Sequence, residues 1–197
     1  METIPAEARE TFSEEIWPET SEALVRSITY YANCGIERVV LDLSSPGGEV
    51  ASGIELYKTL SMMPIELVTR NTGEVSSMGN AVFLAGDIRL AFPDTTFLLH
   101  PIKIEVAGGR VLDLDHLGVE RAKLERAGGP SSDLRELDLG HIRLERDERE
   151  MRTIIEERTN MSGAEIRKLV REAVPIDALS ARSMGIVHEI VPVDSDA

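Results

Sequence analysis

Apolar and polar positions change period several times along this chain, and each change marks an element. Over residues 20–34, Leu24, Val25, Ile28 and Tyr31 recur at helical spacing. Thr20 or Ser21 can cap that helix, and Gly35 suits its C-terminal stop. Val39-Val40-Leu41-Asp42-Leu43 is short, apolar and β-branched, a buried-strand pattern that ends at the turn-forming Pro46-Gly47-Gly48. Val50, Ile54, Tyr57 and Leu60 return to helical spacing, and Pro64 precedes a strand at residues 65–68. A strand ending near Asn71-Thr72-Gly73 then gives way to a helix starting near Ser77, with further strands at 88–92 and 95–100. Strand and helix in alternation generate right-handed crossovers and a mainly parallel sheet, so the fold class is α/β.

Beyond Pro101 the pattern becomes helical and charged. Residues 113–127 and 141–160 are rich in Leu, Glu and Arg, and Ala127-Gly128-Gly129-Pro130-Ser131-Ser132 breaks the helix between them. Ser162-Gly163-Ala164-Glu165 is a capping-box pattern for a third helix, Asp177 can cap a fourth that stops at Gly185, and residues 186–191 close as a strand. Residues 1–12 read as a polar tail, and residues 1–197 as one domain.

Composition narrows the function classes. At 197 residues and 42% hydrophobic content the chain can bury one sizeable core. A net charge of -14 argues against a duplex nucleic-acid or anionic-membrane surface, because phosphate neutralisation needs clustered Lys and Arg. Met1 to Glu7 are acidic and carry no apolar run, so neither a signal peptide nor a membrane span is expected there. Cys34 is the only cysteine, which excludes an internal disulfide and fits a reducing, cytoplasmic setting; it is expected as a small buried residue near a helix end.

Three motifs carry chemistry: Ser45-Pro46-Gly47-Gly48, Glu74-Val75-Ser76-Ser77-Met78-Gly79-Asn80 and Thr96-Phe97-Leu98-Leu99-His100-Pro101. A serine hydroxyl is a poor nucleophile near neutral pH, so acyl transfer needs a positioned base and donors for the oxyanion. Ser77, at the start of a helix, is the candidate nucleophile and Ser76 its competitor. The Met78 N–H is a natural oxyanion donor, and Gly48 offers a second because a missing side chain lets a carbonyl approach. His100 ends an apolar strand and is the candidate base, whereas His116, His141 and His188 read as surface or structural.

These motifs, in this order, resemble the proteolytic subunit of Clp protease, the ClpP family. The resemblance runs from about Glu14 to Val191 and is dense between Leu41 and Pro101. The family's Gly-x-x-x-Ser-Met-Gly pattern begins at Gly73 and sets the register on Ser77; Gly48 and Met78 then form the oxyanion hole and His100 the base. The resemblance implies a ClpP/crotonase-like fold of repeated β-β-α units, without metal or organic cofactor. It implies a serine peptidase that cuts unfolded chains or short peptides, built as one or more homo-oligomeric rings. A helical handle falls at about residues 103–160 with an insertion around 107–140, and the 141–160 segment resembles the family's long handle helix.

Several positions depart from the family. His100 is followed directly by Pro101 without the usual Gln, and Leu169 stands where the triad Asp is expected. Glu172 is the nearest carboxylate and the candidate third member; Glu165 and Asp177 read as caps, Asp113 and Asp115 lie in the extra segment, and a Ser–His dyad is the other possibility. Val40 and Asp42 replace tyrosines of the pocket that receives the ATPase unfoldase, which makes that docking strand atypical. A catalytically weak subunit that assembles with active ones is therefore the alternative function, and a crotonase-type acyl-CoA enzyme a minor one. No lysine lies between Lys58 and Lys103, against the Ser–Lys chemistry of signal-peptide peptidases.

Overall fold

The computed structural model describes residues 7–106 and 109–193. Strands β1 (Glu7–Phe12), β2 (Arg38–Ser45), β3 (Glu66–Ser76) and β4 (Ile88–Ala91) lie side by side in parallel, joined by α1 (Pro18–Asn33), α2 (Val50–Ser61) and α3 (Gly79–Leu84). Parallel neighbours require crossovers, which the intervening helices supply. Leu24 and Ile28 of α1, Ile54, Leu56 and Leu60 of α2, and the whole of α3 are buried with Val39, Leu41 and Leu43 of β2.

β3 changes partner halfway along. Val68–Asn71 pairs with β4, but Glu74–Ser76 pairs in parallel with β5 (Thr96–Leu98), and the register against β2 shifts between Leu43 and Ser45. Asn71, fully buried, stitches this junction: its Nδ2 donates to Thr96 O at 2.9 Å and its Oδ1 accepts from Gly73 N–H at 2.9 Å. The expected strand end near Asn71-Thr72-Gly73 is therefore corrected, because the strand continues three residues beyond Gly73 to Ser76.

Residues 7–12 correct the reading of a polar tail. They form edge strand β1, with Phe12 buried and Glu10 turned toward α1, where it accepts from Ser27 Oγ. Its charged alternation is what an edge strand carries to resist pairing with other chains, and it hides the strand from a hydrophobic scan. Residues 1–6, where no signal peptide was expected, and Ala107, where the insertion was taken to begin, lie outside the described residues. Helix α1 starts at Pro18, before the expected Thr20 or Ser21 cap, since proline favours the first helical position. Thr20 still acts there, accepting from Trp17 N–H at 2.9 Å. Cys34 is exposed at the end of α1, against the expectation of burial, because the apolar face ends before it.

The chain divides into two compact units: residues 1–100 with 154–197, and residues 101–153. The second holds a hairpin, β6 (Ile104–Val106) with β7 (Arg110–Leu112), that the charged pattern does not announce. With α4 (Leu114–Arg126) and the first part of α5 (Ser131–Arg158) it encloses a small core of Val106, Leu117, Leu137 and Leu144. Asp113 caps α4 by accepting from His116 N–H at 3.0 Å. The first unit is completed by α6 (Gly163–Glu172), β8 (Ile176–Asp177), α7 (Ala178–Ser183) and β9 (Glu189–Ile190), which pairs with β4.

Within the first unit two arginines act as connectors. Arg89, buried, donates to Ile186 O (2.8 Å), Gly185 O (3.0 Å) and Arg158 O (2.8 Å), while Arg158 donates to Leu84 O (2.9 Å) and Gly86 O (2.6 Å). Burial and the neighbouring Arg158 charge pull Arg89 down to about 10. Among the described residues no helix is long and apolar enough to cross a membrane, and no cluster of His, Cys, Asp or Glu could hold a metal ion.

Candidate active site

The candidate site gathers where β2, β3 and β5 end. Ser77 sits between the last residue of β3 and the start of α3 with φ 52°, a left-handed conformation that a serine adopts only when its surroundings hold it there. Its N–H donates to Leu98 O at 2.9 Å, fixing the turn to β5, and the residue is half-buried. Ser76, one residue earlier, is buried and its hydroxyl donates to Glu74 Oε1. The two serines thus have different settings, Ser76 inside the strand and Ser77 on the elbow.

Gly47 lies directly against this elbow. A methyl on Gly47 (φ 95°) would stand 2.5 Å from Ser77 Cβ and 3.0 Å from the Met78 nitrogen, so only glycine permits the approach. Gly48 is crossed by Ile16: Ile16 N–H donates to Gly47 O and Glu49 N–H donates to Ile16 O, both at 2.7 Å. That bridge engages the groups flanking Gly48 and leaves its own N–H outside the ladder. Among the described residues neither the Gly48 nor the Met78 N–H has a protein acceptor. Ser45 anchors the same loop, its Oγ donating to Glu14 O at 2.6 Å and accepting from Gly47 N–H at 3.2 Å.

His100 follows β5 by two residues and is half-buried. The parallel pairing of Ser76 with Leu98 carries both chains off the sheet at the same end, which places Ser77 and His100 in succession to paired residues. Such strand ends are where loops hold binding groups.

The acidic candidates are less concentrated. Glu172 is the last residue of α6, exposed, with its Oε1 3.9 Å from Lys168 Nζ; Leu169 is half-buried one turn earlier. Glu165 closes the α6 capping box, and bonds from the Ser162 hydroxyl and N–H hold its carboxyl below the usual range. Asp177 caps α7, accepting from Ser180 N–H at 2.7 Å, and that bond lowers its carboxyl as well. β8 runs antiparallel beside β5, Asp177 opposite Thr96 and Ile176 opposite Phe97, so the segment from Glu172 to Pro175 leads into the strand that lies alongside β5, which itself ends at Leu98, two residues before His100. His188 is structural, its Nδ1 accepting from Arg89 N–H at 3.1 Å.

One contributor escaped the motif reading. Asn80, buried inside the apolar run of α3, donates through Nδ2 to Leu98 O and Ser77 O. A buried amide among apolar neighbours must find partners, and that rule was the available signal.

Compared with known proteins, residues 4–127 match the Clp protease family model. The ATP-dependent Clp protease proteolytic subunit of Liriodendron tulipifera is 34% identical over 90 residues, covering 44% of this chain and 45% of that protein. That of Chloranthus spicatus is 30% identical over 129 residues, covering 59% and 64%. The chain thus spans between about half and two thirds of the length of these curated relatives. Among solved structures, ClpP1 from Listeria monocytogenes superposes with a TM-score of 0.71 at 19% identity, covering 94% of this chain and 91% of that one. A mutant of the same Listeria protein gives a TM-score of 0.69 at 21% identity, covering 94% and 92%. At these identities the likeness is one of fold, and the α/β architecture with its mainly parallel sheet is that of ClpP.

Proposed function

The chain belongs to the Clp protease family, and from that premise we propose that it is a serine peptidase acting on unfolded chains or short peptides through an acyl-enzyme at Ser77. The observation that carries this reading is the left-handed Ser77 elbow, pressed against Gly47 and followed by the Met78 amide. Ser77 Oγ adds to the substrate carbonyl carbon as its proton passes to His100, and the carbonyl oxygen takes the negative charge facing the Gly48 and Met78 N–H groups. Collapse breaks the C–N bond and His100 returns the proton to the leaving amine. Water, deprotonated by His100, then releases the acyl group by the same steps in reverse roles.

Two versions of the base differ in the acid. In one, Glu172 swings from Lys168 to orient His100; in the other, Ser77 and His100 act as a dyad, which suffices for slower catalysis. Glu172→Gln lowers turnover in the first version and leaves it unchanged in the second. Hydrolysis of an unstructured fluorogenic peptide is expected to vanish in Ser77→Ala and fall steeply in His100→Ala. Full activity in either variant removes that residue from the reading.

The protein's assembly is read as a homo-oligomeric ring, supported by Leu139 and Ile142, apolar residues of α5 that stand exposed. Light scattering that gives a monomer of 21.7 kDa refutes it. Docking of an ATPase through an apolar anchor is disfavoured, because Asp42 is bonded to Arg70 at 2.6 and 2.8 Å and Arg70 lies 5.0 Å over the Phe92 ring. A second reading, a catalytically weak partner of active subunits, is favoured by Leu169 in place of the family's Asp. Peptide hydrolysis by the purified chain alone contradicts it.

A further inference from the structure

Three backbone carbonyls around the elbow converge on one side chain. Asn80 is 2% exposed, and its Nδ2 lies 2.9 Å from Leu98 O, 3.0 Å from Ser77 O and 3.3 Å from Val75 O. Two amide hydrogens serve them, one for each of the shorter contacts, with Val75 O sharing. All three neighbours are acceptors, which sets the amide's orientation: Oδ1 in that place would face carbonyl oxygens. The Asn80 backbone N–H adds a bond to Ser77 O at 3.1 Å.

Ser77 is consequently clamped on both sides of its peptide units. Its N–H reaches Leu98 O, and its C=O receives the Asn80 N–H and Nδ2. Leu98 O is shared by Ser77 N–H and the Asn80 amide, and His100 follows Leu98 by two residues. An apolar residue at position 80 would match the rest of α3, namely Ala81, Val82, Phe83 and Leu84, and would spare the helix a buried polar group. The amide instead ties the end of β3, the elbow and the end of β5 to one point.

We propose that Asn80 is a positioning residue: it holds the strained Ser77 backbone in fixed relation to the β5 carbonyl from which His100 continues, so that nucleophile and base stay in register. This rests on the reading of Ser77 and His100 given above.

The test uses a fluorophosphonate probe on the full chain, wild type against Asn80→Ala and Asn80→Asp, with melting curves for each. Asn80→Asp keeps the shape and replaces the donor by an oxygen that the carbonyls repel. At a temperature where all are folded, the maximal labelling rate is expected to fall about tenfold or more in both variants, with the half-saturating probe concentration nearly unchanged. If Asn80→Ala does not fold, Asn80→Ser, which keeps one donor, is read the same way and falls between wild type and Asn80→Asp. Lower melting temperatures with an unchanged labelling rate in the folded protein overturn the proposal and leave Ser77 as nucleophile. A wild-type protein that takes no label overturns the Ser77 reading, and this inference with it.

Discussion

Gly48→Ala is the most demanding single change to the candidate oxyanion loop. A methyl there would meet Ile16 O at 2.2 Å, Ile16 N at 2.6 Å and Ile16 C at 2.8 Å, all backbone atoms with no rotamer to give way. The nearest contact has to open to about 3.0 Å, which displaces either the Gly48 amide or Ile16 with its two 2.7 Å bonds. The φ of 153° is also one that L-residues avoid, at a cost of about 1–3 kcal/mol, and overpacking adds about 1–3 kcal/mol more. A stability loss of roughly 2–6 kcal/mol follows, a large part of the 5–15 kcal/mol typical of a domain. An oxyanion donor moved by most of an ångström also costs about 100-fold or more in acyl transfer. Trp17, the only tryptophan, adjoins Ile16, so its fluorescence reports the displacement locally while circular dichroism follows global unfolding in urea. A Gly48→Ala protein with wild-type midpoint, unshifted Trp17 emission and a probe-labelling rate within about threefold of wild type would refute the reasoning.

Asp42→Ala removes a carboxylate partner of Arg70, whose side chain is only 10% exposed, and is expected to destabilise by about 1–3 kcal/mol in urea unfolding, an unchanged midpoint contradicting a contribution from the pair. His188 is held below its ordinary range by burial first and by the Arg89 and Arg158 charges next, so the folded state disfavours its proton. Its stabilising contribution is complete above the unfolded value of about 6.5 and is lost as pH falls below that. The drop in melting temperature between pH 7 and pH 5.5 should therefore be smaller in His188→Gln; an equal drop assigns the dependence to other groups.

The sheet's interior strands and the chemical motifs were legible because they depend on local pattern. Val39 to Leu43 is apolar enough to name a buried strand, and the three glycine-, serine- and histidine-bearing motifs announce a hydrolytic constellation without any tertiary knowledge. What was hidden depends on partners far along the chain. Glu7 to Phe12 reads as polar because an edge strand buries one side only, and Glu10 on that side is satisfied by Ser27. The extension of β3 past Gly73 rests on the Asn71 amide reaching Thr96 O, a contact between residues 25 apart in sequence. Asn80 escaped for the same reason, since its tie to Leu98 O joins residues 18 apart in sequence. The strands of the β6–β7 hairpin are only three residues each, Ile104–Val106 and Arg110–Leu112, too short for an alternating pattern to stand out. Leu169, by contrast, was visible as a departure, yet sequence position alone does not say which carboxylate, if any, faces His100.

The most direct measurement of the central claim is to react the purified chain with a fluorophosphonate and map the adduct by peptide mass spectrometry. The account predicts a single phosphonylated residue, Ser77, with labelling lost in Ser77→Ala and strongly slowed in His100→Ala. An adduct on Ser76, or one that persists after Ser77→Ala, would contradict the assignment of the elbow serine as nucleophile.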